Sequence, residues 1–154
     1  MERRQDDLAA VAREIIDANR YMTLATADGD GRPWAAPVWY AHQGYTDLFW
    51  VSRPGARHSR NLAARPEVGI VIFDSTVPIG TGQAVYVEAL AAEVEEAERG
   101  QAIAVFSRRS QAQGAAGWDL ANVTGPAPFR LYRARASAQF VLDDHDQRVA
   151  VRLG

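Results

Sequence analysis

The chain of 154 residues contains no cysteine. Disulfides, thiolate nucleophiles, iron–sulfur clusters and cysteine-ligated zinc are therefore excluded. It also contains no lysine: all 17 basic residues are arginine. That removes Schiff-base chemistry and the phosphate-gripping lysine of a nucleotide-binding loop. An arginine-biased coding sequence explains the swap without any function, but an anion held by this chain is held by arginine, histidine or backbone. A strong charge imbalance is missing too. With 23% charged residues and a net charge of -2, the composition fits neither a disordered tail nor a basic nucleic-acid binder. No apolar run approaches the roughly 18 residues of a membrane span. Met1 to Asp7 leads into no apolar signal core, so a cytoplasmic protein with no membrane partner is expected.

What is present suits one domain spanning residues 1–154, with 47% hydrophobic residues to build its core. Leu8, Val11, Ala12, Ile15 and Ile16 recur at helical spacing between Asp6 and Asn19. Tyr21–Thr26 reads as a strand, Asp28-Gly29-Asp30-Gly31 as a hairpin turn, and Pro33 to about Ala41 as its partner. A turn near Gln43 and Gly44 leads to a third strand centred on Leu48–Val51. Arg53-Pro54-Gly55 then turns the chain into a short helix that Pro66 stops. Val68–Phe73 is β-branched and almost wholly apolar, so a central strand buried on both faces is expected. Further strands are expected over Gln83–Val94, Phe129–Ala136, Ala138–Leu142 and Gln147–Leu153, with a helix from Glu95 to about Ala112. Gly114–Pro128 reads as a loop pinned by Trp118 and Leu120. Short turns between the first strands disfavour a parallel doubly wound sheet. The expected fold is mainly β (α+β): a six- to seven-stranded antiparallel barrel with about three peripheral helices.

One stretch concentrates candidate chemistry. Phe49-Trp50-Val51-Ser52 empties into the Pro-Gly turn, and Arg57, His58, Ser59 and Arg60 occupy the first turns of the helix that follows. Free backbone N–H groups, the helix dipole and guanidinium donors converge there, which is what a phosphate group needs. The same arginines would serve equally as a solvated helix face. Ala35-Ala36-Pro37-Val38-Trp39-Tyr40 is unusual for a central strand, because proline cannot donate to the ladder. It reads either as an edge strand or as a strand against which a flat ligand lies close. His42 and His145 stand apart from other potential metal ligands, and no metal-ligand spacing, nucleophile elbow or glycine-rich nucleotide fingerprint is found. No metal is expected and no catalytic residue is singled out.

These segments, taken in order, resemble the pyridoxamine 5'-phosphate oxidase-like family of flavin-binding split β-barrels. The matching parts are the first helix and Tyr21–Ala27 with its Asp-Gly turn, the Pro37–Tyr40 strand, Trp50-Val51-Ser52 leading to Arg57–Leu62 and Pro66, and Gln83 followed by Val87-Glu88. The resemblance implies a split barrel and a flavin-dependent oxidoreductase that binds flavin mononucleotide (FMN) and acts on a small organic substrate. It implies that the backbone of Ala36, Pro37, Val38 and Trp39 lies along the isoalloxazine ring. Val51 and Ser52 would contact the ring or ribityl chain, Arg57, His58 and Ser59 would take the phosphate, and Gln83 would bond the ring edge. It further implies a homodimer with the cofactor between subunits. Trp39, Trp50 and Trp118 are candidates to wall the substrate pocket. Two departures stand out: His58 occupies the place of the oxidase's phosphate-binding lysine, and the Arg-x-His segment that grips the substrate phosphate is not evident. Oxidation of vitamin B6 is therefore not the favoured activity. A deazaflavin-dependent reductase and a flavin- or haem-binding protein without turnover are the alternatives.

Overall fold

The structure, a computed structural model, describes residues 2–154. Its elements follow in the order α1 (Glu2–Ala18), β1 (Tyr21–Ala27), β2 (Pro33–Trp39), β3 (Ala41–Gln43), β4 (Asp47–Ser52), α2 (Arg57–Ala64), β5 (Glu67–Phe73), β6 (Ala84–Glu93), α3 (Glu96–Ala112), β7 (Arg130–Leu142) and β8 (Arg148–Val151). All pairings are antiparallel. The sheet runs β2-β1-β5-β6-β7-β4-β3, with β8 added to β7, and curls into a half-barrel whose open seam lies between β2 and β4. No helix among the described residues is long and apolar enough to cross a membrane.

The expected antiparallel split barrel with three peripheral helices is what this chain forms, with eight strands rather than six or seven. The strand expected over Pro33–Ala41 divides at Tyr40. There the backbone N–H donates to the carbonyl of Arg20 (3.2 Å), and the fully buried phenol donates to the carbonyl of Ile16 (2.6 Å). The break expected after Ala136 is instead a bulge in one long strand. Ala136 pairs with Ala89 and Ala138 with Glu88, which leaves Ser137 as the extra residue. Its hydroxyl donates to the carbonyl of Glu88 (3.0 Å).

Two apolar clusters hold the fold. The larger fills the half-barrel, with Ile16 of α1, Met22 and Leu24 of β1, Ile70 and Ile72 of β5, and Trp50 of β4. The smaller lies under α3 and joins Phe49, Ile103, Phe106 and Leu131. β5 is central, as expected, but buried on one face only. Val68, Ile70 and Ile72 point inward, whereas Phe73 is 48% exposed. On its outer face Glu67 and Phe73 are exposed and Gly69 and Val71 half-buried. The turn at Asp28–Gly31 closes as its residues dictate. Asp28 Oδ1 accepts from the N–H groups of Asp30 and Arg32 (both 2.9 Å), and Gly31 takes a positive φ of 83°. These bonds hold the Asp28 carboxyl below its ordinary pKa.

Candidate functional site

The site is built around the start of α2. The Arg53–Gly55 turn closes with the Ala56 N–H donating to the carbonyl of Arg53 (3.0 Å), and the helix opens with Arg60 N–H donating to Ala56 (3.0 Å). Ala56 offers no side-chain cap, and no acidic residue lies in the first turn. The N–H groups of Arg57, His58 and Ser59 therefore have no partner inside the helix, and the positive end of its dipole is uncompensated. That is the local physics of an anion site.

Beside it opens a cavity of about 490 Å³. Pro37, Val38 and Trp39 of β2, Val51 and Ser52 of β4, and His58 of α2 line one part. Phe106 of α3 and Trp118 and Phe129 of the following loop face them. Six of the ten expected cofactor residues thus share one cavity. The two readings of the Pro37 strand turn out to be compatible. β2 is the end strand of the sheet path, where proline is tolerated, and it also lines the cavity.

Ser52 Oγ and His58 Nε2 share a hydrogen bond of 2.8 Å. Burial pushes the His58 pKa down, so near neutral pH the free site presents a neutral imidazole and not the cation that its lysine-like position suggested.

The other four expected residues lie elsewhere. Ala36 pairs with Leu24, projects from the opposite face of β2 to Pro37, and does not line the cavity. Arg57 is exposed, with its guanidinium over the ring of Trp34 at 4.2 Å. Ser59 is buried and faces a separate hollow of about 430 Å³ bounded by Leu62, Pro66 and Tyr132. Gln83 lies before β6, beside Gly80–Gly82 and Leu142–Asp144. The cavity is therefore not completed at Gln83 by its own chain.

Of the expected pocket-wall tryptophans, Trp39 and Trp118 line the cavity, but Trp50 does not. It is fully buried in the half-barrel and stacks on Tyr132 with centroids 5.9 Å apart. On β4 the Trp50 side chain belongs to the half-barrel core, whereas Val51 packs on the other face against the cluster under α3. Tyr21, Phe106, Ser110, Ala115 and Phe129 complete the lining and were not foreseen. Only the apolar Ile103–Phe106 turn of α3 carried any signal.

The profile of the pyridoxamine 5'-phosphate oxidase family matches residues 8–142. No curated protein matches the sequence. Among solved structures, a haem-binding protein from Mycobacterium smegmatis is 23% identical with a TM-score of 0.75. The match covers 94% of this chain but only 57% of that one, so this chain spans little more than half the relative's length. The haem storage protein HutZ from Vibrio cholerae is 24% identical with a TM-score of 0.66, over 84% of this chain and 90% of that one. An F420 reductase is 20% identical with a TM-score of 0.61, over 83% and 94%. At these identities the likeness establishes the fold.

Proposed function

Because the chain belongs to the pyridoxamine 5'-phosphate oxidase family, we propose that it is a flavin-dependent oxidoreductase acting on a small organic substrate. Its flavin would be FMN, seated in the cavity between β2, β4 and α2. A bound flavin accepts or releases a hydride or two electrons, and the protein's task is to bind it, orient it and exclude water. The residues present fit that task. The uncapped start of α2 offers three N–H groups to a phosphate. Pro37–Trp39 offers a strand edge without an N–H at Pro37, against which a flat ring can lie. Ser52 and His58 stand between the two as hydrogen-bonding groups for a polyhydroxylated chain. The observation that carries the reading is this convergence of strand edge, Ser52–His58 pair and helix start on one aromatic-walled cavity.

A homodimer belongs to the same proposal. Gln83 does not line its own chain's cavity, so a bond from it to a flavin ring there would come from a second copy. Tyr21 both lines the cavity and is 60% exposed on the outer sheet face, which makes cavity and face continuous.

The test begins with the visible absorption of the protein as purified, followed by release and mass measurement of the chromophore. Recovery of FMN supports the proposal. Titrating the stripped protein with FMN and with riboflavin then isolates the phosphate. A charge-assisted site should favour FMN by about 1.5–3 kcal/mol, tenfold or more in affinity. Equal binding of the two would remove α2 from the site. A second reading, a deazaflavin in the same cleft, is favoured by the exposure of both Arg57 and Arg60 beside the helix start, where a longer anionic tail would lie. Exclusive uptake of deazaflavin would establish it. Recovery of haem, with no flavin reduction by a nicotinamide nucleotide, would favour a carrier.

A further inference from the structure

Trp39 of β2, Phe106 and Trp118 form an aromatic wall of the cavity whose rings are fixed in place. Trp39 meets Phe106 edge-to-face, with centroids 4.8 Å apart and planes at 90°. Phe106 meets Trp118 at 5.5 Å and 84°. Hydrogen bonds lock this arrangement from behind. Trp39 Nε1 donates to Gln113 Oε1 (2.7 Å), the Trp118 N–H donates to Ser107 Oγ (2.8 Å), and Ser110 Oγ donates to the carbonyl of Ala116 (2.6 Å). The indole N–H of Trp39, the backbone N–H of Trp118 and the Ser110 hydroxyl are thereby engaged within the protein.

No Asp, Glu or Arg is found among the described residues that line the cavity. Its one imidazole, His58, is already engaged by Ser52 at the far end. Arg53 lies over Phe129 at 5.0 Å but is not part of the lining. A charged group brought to this wall would shed water and gain no partner. A flat ring would gain edge-to-face contacts with rings that need not reorganise.

We propose that this wall is the substrate subsite and that it selects an uncharged, planar conjugated ring over phosphorylated or carboxylated compounds. Within it Gln113 is a positioning residue: its side-chain oxygen fixes the indole of Trp39 without reaching the cavity itself. The assignment of the bound ring as substrate rests on the flavin reading. The ring preference rests on the wall alone.

The probes are menadione, a neutral quinone ring, and naphthoquinone sulfonate, its charged counterpart. Both are titrated by tryptophan fluorescence quenching into the full chain, as purified and after flavin removal, in saturating inorganic phosphate so that the sulfonate is kept from the α2 start. Menadione should saturate, with the sulfonate about tenfold weaker or worse. Trp118→Ala should weaken menadione by roughly tenfold, the scale of an aromatic pair and its buried area. Gln113→Leu should weaken it severalfold, and Gln113→Glu, which keeps an oxygen acceptor for Trp39 Nε1, should restore it at unchanged melting temperature. Equal affinity for neutral and sulfonated rings, or wild-type binding by Trp118→Ala, overturns the subsite. Failure of Gln113→Glu to restore what Gln113→Leu loses overturns the positioning role. Chain that never takes flavin yet binds menadione would keep the subsite and sink the cofactor reading. Chain that binds flavin and discriminates neither ring would do the reverse.

Discussion

His58 shows how one residue's surroundings decide its role. Its imidazole is half-buried, and desolvation holds its pKa below the ordinary value of 6.5. The unfolded chain therefore takes up the proton first as pH falls. The stability this group contributes is complete above about pH 6.5 and is lost as pH drops toward the folded pKa. Between about pH 7 and about pH 5, the melting temperature of wild type should fall more steeply than that of His58→Gln. Parallel slopes would show that His58 is not desolvated. A phosphate at the start of α2 would favour the imidazolium, so FMN affinity should rise as pH falls through and below about 6.5. Isotherms that stay flat from about pH 5 to 8 would remove that charge from binding. Arg57 poses the opposite case, a full charge parked on Trp34 at 4.2 Å. Leaving an exposed indole costs about 0.5–1 kcal/mol, against about 1.5–3 kcal/mol for a charge-assisted bond to phosphate. Arg57→Ala should therefore weaken FMN by roughly 1–2 kcal/mol, while Trp34→Ala should tighten it slightly. Unchanged FMN affinity in Arg57→Ala would leave the backbone N–H groups as the whole phosphate site.

Elements were legible in the sequence where their signals are local. The Asp-Gly turn, the Pro-Gly turn before Arg57 and the stop at Pro66 rest on backbone preferences that neighbouring residues cannot override, and α2 with its flanking strands forms as read. What packs against α2 and β2 across the seam was not legible. α3 has little amphipathic order along its length, and its cavity residues Phe106 and Ser110 match no motif. Its docking depends on Arg109 in its last turn. Its Nη2 shares two hydrogens among the carbonyls of Asn19 (3.0 Å), Ile16 (3.3 Å) and Asp17 (3.3 Å) at the end of α1, and the guanidinium lies over Tyr40 at 5.6 Å. It satisfies the orphan carbonyls of one helix while tethering another. Arg109→Ala should destabilise the fold by about 1–3 kcal/mol in urea unfolding. Because α3 carries the cavity's far wall, the same variant should loosen ligand binding below its unfolding midpoint. A stability loss within error of zero would make these contacts incidental.

At the scale of the whole molecule, the expectation that failed most usefully is the burial of β5 on both faces. An almost wholly apolar strand reads as doubly buried because sequence counts apolar residues and cannot say which layer covers them. Among the described residues the outer face of β5 stays partly open. Phe73 is 48% exposed and Tyr21 60%. Val71 lies on the same face, opposite Thr23 of β1 and Tyr86 of β6. The proposed homodimer supplies the missing layer, and Gln83, next to the Phe73–Ala84 pair, is the residue it would deliver to a cavity that its own chain does not complete. Val71→Arg separates these ideas from folding. The position is half-buried on the outward face and its substitution empties no core, so the variant should still unfold cooperatively in urea, less stable than wild type by the association it loses. An arginine pair brought together at a two-fold interface should abolish association. Wild type should sediment as a dimer and the variant as a monomer with weakened FMN affinity. A variant that is monomeric yet binds FMN as tightly as wild type would show that the cavity suffices within one chain and that Gln83 lies outside the site. A wild type that is itself monomeric at every concentration would remove the dimer, leaving the aromatic wall and the α2 start as the whole of the binding apparatus.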